Sequence, residues 1–165
     1  MIDAACRDWH AVARSFPTLP ITSPMPRADF YLVTTPRFRE QPLRLVCELV
    51  RKAHAAGLPT LILARDDAQA ETLDDMLWDM GEDAFIPHQI AGLDEDEDEA
   101  DVLIAGPASD AALRPLVINL RDAAVAGTFD RVLEVVPADE SARGPLRERW
   151  KQYQARGLEL QKHDM

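Results

Sequence analysis

From residue 28 onward, short apolar stretches of strand length alternate with segments whose apolar residues recur every three or four positions. That alternation predicts an α/β domain, with a mostly parallel central sheet flanked by helices. A length of 165 residues with 47% hydrophobic content supports one domain with a sizeable core. The 7 glycines are isolated, and neither GxGxxG nor GxxxxGK(S/T) occurs, so the predicted domain has no P-loop.

The elements follow in order. Residues 1–27 carry Pro17, Pro20, Pro24 and Pro26, a density that prevents a continuous helix and offers little to pack. This stretch reads as a flexible N-terminal extension ahead of a domain at 28–165, with Met25 an alternative genuine start and the residues before it a start-site misassignment. Phe30-Tyr-Leu-Val33 reads as a buried strand, and a helix is expected from about Glu40 to Ala56. Leu43, Val46, Val50 and Ala53 form its apolar stripe, and Gly57 is its stop. A second strand is expected at Thr60–Ala64. Asp66 or Asp67 then caps a helix reaching about Met80, with Ala70, Leu73, Leu77 and Met80 facing inward. Ala84-Phe-Ile86 reads as a third strand ending at Pro87, and the acidic run from Asp94 to Asp101 as a solvated loop. Val102–Ala105, Leu116–Leu120 and Arg131–Val136 are further strands. The last expected element is a helix starting near Gly144-Pro145, with Leu146, Trp150 and Tyr153 inward.

Charge and motif content exclude several functions. With 18 Lys+Arg against 29 Asp+Glu, the net charge of -11 argues against a broad basic surface, so any contact with DNA is expected to be mainly indirect. Cys6 and Cys47 lack CxxC spacing, which points to a reduced, cytosolic setting. No apolar run approaches the roughly 20 residues of a membrane span, and residues 1–24 lack a signal-peptide core, so no membrane association is expected. GxSxG and HExxH are absent, and His10, His54, His88 and His163 lie far apart, leaving no nucleophile with a base beside it and no cofactor site. Asp66 and Asp67, at the carboxyl end of a strand, are the best enzymatic candidates. They could serve a metal-dependent phosphotransfer or hydrolytic enzyme. Helix capping is the preferred reading.

Two surfaces carry binding chemistry. Arg143, Arg147 and Lys151 recur every four residues, so on a continuous helix they form one cationic stripe beside Trp150 and Tyr153. Val136 and Pro137 can supply an apolar floor. Such a surface suits a carboxylate next to an aromatic ring. The second surface centres on Trp78, about 100° from its helix's apolar stripe and on a face with Glu71, Asp74 and Asp75, with Phe85 nearby. An exposed tryptophan among acids suits a protein interface.

Several segments in order carry a family resemblance: Ala28-Asp-Phe-Tyr-Leu, Val46-Cys-Glu-Leu, Leu77-Trp78, Phe85-Ile-Pro-His88, Ala91-Gly92, Glu134-Val-Val-Pro137 and Arg147-Glu-Arg-Trp-Lys-Gln-Tyr153. With this order and spacing the chain resembles the chi subunit of the bacterial DNA polymerase III holoenzyme. The resemblance covers Met25 to about Leu160. It implies a single Rossmann-like domain without a nucleotide site. It also implies an accessory, clamp-loader-associated subunit, non-catalytic by itself within a DNA-directed DNA polymerase complex, and cytoplasmic at the replisome. The implied partners are a psi subunit and the acidic C-terminal tail of the single-stranded-DNA-binding protein, which ends in Ile-Pro-Phe. Tail binding falls on Val136, Arg143, Arg147, Trp150 and Lys151. Psi binding, on a surface also used by a helicase-like repair protein in some relatives, falls on Trp78 and Phe85. The chain departs from the family pattern in having Trp150 for a tyrosine, Arg143 for a lysine, and an acidic run for a glycine-rich segment.

Overall fold

The computed structural model describes residues 26–80, 85–92 and 100–165. Seven strands form one sheet: β1 (Arg27–Leu32), β2 (Thr60–Leu63), β3 (His88–Ile90), β4 (Val102–Ala105), β5 (Leu116–Asn119), β6 (Arg131–Val136) and β7 (Glu159–Asp164). Their spatial order is β3-β4-β2-β5-β6-β1-β7, and every pairing is parallel. The helices are α1 (Pro36–Glu40), α2 (Pro42–Ala55), α3 (Asp67–Trp78) and α4 (Arg143–Ala155), the last preceded by a 3-10 turn at Glu140–Ala142. The expected α/β class holds, with a sheet wholly parallel among the described residues. None of their helices is long and apolar enough to cross a membrane.

Successive strand residues serve opposite faces of the sheet. Ile62, Ile104, Ile118 and Leu133 pack with Leu45, Val46, Leu49 and Val50 of α2 and Leu73 and Leu77 of α3. Their neighbours Val117 and Val132, with Phe30, pack beneath Tyr153 of α4. Because both faces are covered, the central strands β4, β5 and β6 are buried along their whole length, in keeping with their predominantly apolar sequences. Cys47 is part of this core, and burial pushes its thiol up to about 11, which suits packing better than reactivity.

Four boundaries differ from the sequence expectations. The helix expected from Glu40 is two helices broken at Gln41, whose backbone (φ -136°, ψ 77°) lies outside the α region, which is disfavoured for a residue before proline. The third strand lies after Pro87, at His88–Ile90. Pro87 contributes only its carbonyl, which accepts from the Val102 N–H at 3.1 Å, and the ladder starts where N–H donors resume. α3 ends at Trp78, before Met80. The chain also continues past α4 into an unexpected edge strand, β7, paired with β1. Gly57 does end α2, with φ +71°. The readings of residues 1–25 and of the acidic run at 94–99 lie outside the described residues.

Candidate partner-binding sites

α4 is one continuous helix, with Pro145 in its first turn, where no intrahelical N–H bond is lost. A buried carboxylate holds its inner side. Glu134, on β6, accepts a hydrogen bond from the Tyr153 hydroxyl at 2.5 Å and from Asn119 Nδ2 at 2.9 and 3.1 Å, and it pairs with Arg149 Nε at 3.1 Å. The Tyr153 hydroxyl also accepts from the Val125 N–H at 2.9 Å, and Arg149 donates to the Asp122 carbonyl at 3.0 Å. Burial pushes the Glu134 carboxyl up to about 7, against the opposing pull of Arg149, Asn119 and Tyr153. Burial likewise raises the Tyr153 hydroxyl, assisted by the Glu134 charge. This cluster was not anticipated; its one trace in the sequence is an acid inside the apolar run Arg131–Val136.

On the outer side of α4 a hollow of about 350 Å³ opens against the sheet. Its apolar wall is Phe30 and Leu32 of β1 with Leu146 and Trp150 of α4, and its cations are Arg147 and Lys151 of α4 and Lys162 of β7. Trp150 lies over Phe30 with ring centroids 5.0 Å apart. The structure thus brings Arg147, Trp150 and Lys151 together. Arg143 is exposed one turn earlier, outside the lining. Val136 is buried in the apolar cluster behind the wall, in register with Leu32, and does not line the hollow. Pro137 lines a separate hollow with Leu43 and Val46. Lys162 was missed because β7 itself was.

Trp78 and Phe85 are each 60% exposed, with ring centroids 5.8 Å apart. The His88 ring meets Trp78 edge-on at 5.1 Å. His88 in turn is held by Asp74 Oδ1 at 3.2 Å from Nε2 and by the Ile86 carbonyl at 2.7 Å from Nδ1. Glu71 and Asp75 of α3 and Asp79 at its C-cap are exposed. This patch sits where α3 meets β3 and β4, whereas α4 packs beside β7. β3 and β7 are opposite edges of a seven-stranded sheet, six interstrand spacings and roughly 30 Å apart.

Asp66 is the N-cap of α3, its Oδ1 accepting from the Gln69 N–H at 2.7 Å, and Asp67 is the first helical residue. Among the described residues no group of three His, Cys, Asp or Glu side chains could hold a metal. At the carboxyl ends of the strands, where open α/β sheets receive ligands, Arg121 donates to the carbonyls of Ala64 (2.9 Å), Ala105 (3.1 Å) and Gly106 (2.8 Å). The protein's own guanidinium therefore fills part of that rim.

The described residues thus form an all-parallel α/β sheet with a cationic aromatic hollow at one edge and an exposed aromatic pair at the other. Comparison with known proteins gives the family. The model described as DNA polymerase III chi subunit, HolC, matches residues 25–161, and the chain belongs to that family. The DNA polymerase III subunit chi of Pseudomonas aeruginosa is 34% identical over 143 residues, covering 84% of this chain and 96% of the relative. The protein of that name from Escherichia coli is 34% identical over 142 residues, covering 82% and 96%. Among solved structures, the C-terminal domain of the DEAD-box protein Dbp5 superposes with a TM-score of 0.61 at 13% identity, covering 85% of this chain and 91% of that one, a likeness of fold alone.

Proposed function

We propose that this chain is a non-catalytic, clamp-loader-associated subunit of DNA polymerase III that bridges a psi subunit and the acidic C-terminal tail of the single-stranded-DNA-binding protein. Membership of the chi family supports the role in replication within the polymerase complex. The observation that carries tail binding is the hollow beside α4, where an apolar wall for one aromatic ring lies next to Arg147 and Lys151. A terminal phenylalanine with a free carboxylate presents that pair of features, and an arginine fork can bond a carboxylate with both nitrogens. Psi binding is assigned to Trp78 and Phe85 because tryptophan is the residue type most often dominant at interfaces. The chain lends docking, and its contact with DNA runs through these partners.

The test is titration of a tail peptide ending in Ile-Pro-Phe, followed by fluorescence anisotropy without metal. Charge-assisted bonds contribute about 1.5–3 kcal/mol, so Arg147→Ala should weaken binding about tenfold or more. Unchanged affinity for Arg147→Ala, or undiminished binding of a peptide lacking the final phenylalanine, would rule the hollow out as the tail site.

A further inference from the structure

We propose that Lys162, on the edge strand β7, is a third binding cation of the α4 hollow and holds a carboxylate of the acidic tail upstream of its terminus, so that the bound tail crosses from α4 to the sheet edge. This rests on the reading of the hollow as the tail site. Lys162 stands in register with Phe30, and the two share one face of the sheet. Its strand neighbours Gln161 and His163 turn to the other face, where they bond Arg27 and Asp29. Leu32, Leu146 and Trp150, backed by the buried Phe30, therefore form an apolar strip with Arg147 and Lys151 on the helix side and Lys162 on the strand side.

Charge supports an external anion there. The chain carries a net charge of -11, yet among the described residues the three lining cations share a single ion pair, Lys151 with Glu148 at 3.8 Å, between two largely exposed side chains. The side chains also divide the work. The planar fork of Arg147 suits a terminal carboxylate fixed beside its own seated ring, whereas an ammonium is a point charge that accepts a flexible upstream acid from many directions. β7 is the sheet edge and pairs only with β1 among the described residues, so an extended segment passing Lys162 also meets unpaired backbone.

The experiment uses the full chain and three synthetic peptides ending in Pro-Phe: one with internal aspartates and a free terminus, one with those aspartates changed to asparagine, and one with an amidated terminus. Lys162→Ala should weaken the first by about two- to fivefold, the range of an exposed ion pair, and leave the asparagine peptide unaffected. Lys162→Arg should restore binding. Arg147→Ala should weaken both free-terminus peptides and lose its effect on the amidated one. Equal loss on the aspartate and asparagine peptides, or no loss on either while Arg147→Ala still weakens binding, overturns the role of Lys162 and leaves the tail site standing. If the unaltered protein fails to bind the aspartate peptide, the tail reading itself falls.

Discussion

Removing a single oxygen, Tyr153→Phe, tests whether the buried carboxylate fastens α4 to the sheet. The phenolic oxygen donates to Glu134 at 2.5 Å and satisfies the Val125 N–H at 2.9 Å, so its loss strips a donor from Glu134 and orphans a buried amide. A buried unsatisfied group costs about 1–3 kcal/mol and a bond to a charged group contributes about 1.5–3, so a loss of roughly 2–4 kcal/mol is expected after partial relaxation. In a chain of this size that corresponds to a Tm lower by about 4–16 °C. The pH dependence adds a signature. The Glu134 carboxyl titrates at about 7 when folded and at 4.5 as a free side chain. The folded state therefore holds the proton more tightly, and Glu134's contribution to stability is present below 4.5 and lost as pH rises to about 7. At pH 5 the mutation removes a bond to a neutral carboxyl, whereas at pH 8 it removes one to a carboxylate and raises the folded pKa further. Urea denaturation at the two pH values should give the larger loss at pH 8. A loss below about 0.5 kcal/mol, or a larger one at pH 5, would refute the anchoring argument.

Other perturbations separate binding from folding. Trp78→Ala should abolish co-purification with a psi subunit while tail-peptide affinity and Tm stay unchanged, because the ring is 60% exposed; a large fall in Tm would return Trp78 to the core. Asp66→Ala should cost about 0.5–2 kcal/mol by thermal denaturation through loss of the cap on the Gln69 N–H, and the loss should be the same with and without added divalent metal. Burial opposes ionisation of Asp29, but the hydrogen bond from His163 and the charges of Arg131 and Arg27 outweigh it and hold this carboxyl below its ordinary value of 3.8. The stability it contributes is therefore present above 3.8 and lost as pH falls, and Asp29→Asn should flatten the acid limb of a stability curve.

What was legible in the sequence was what local periodicity encodes. The rotation of α3 could be read from Ala70, Leu73 and Leu77, which placed Trp78 outside before any contact was known. Strands buried on both faces show as predominantly apolar runs, and β4 to β6 were legible for that reason. β7 was not. Its residues Glu-Leu-Gln-Lys-His-Asp offer one apolar side chain, because an edge strand on this sheet needs charge more than burial, and Lys162 was lost with it. The break at Gln41 was within reach, since Pro42 restricts the residue before it. The Glu134 cluster was not, because Asn119, Arg149 and Tyr153 come from separate elements and only the folded chain brings them together.

The buried cluster also explains why the hollow exists where it does. Along α4, consecutive residues step by about 100°, so Arg149, Trp150 and Lys151 point in three directions. Arg149 and Tyr153, one turn apart, are both buried and both bonded to Glu134, which fixes the rotation of the helix about its axis. Given that rotation, the stripe Leu146 and Trp150 must turn to the side, over Phe30, and the stripe Arg147 and Lys151 must stand above it in solvent. The bonds of Arg149 and Tyr153 to Glu134 therefore set which side chains of α4 face the hollow.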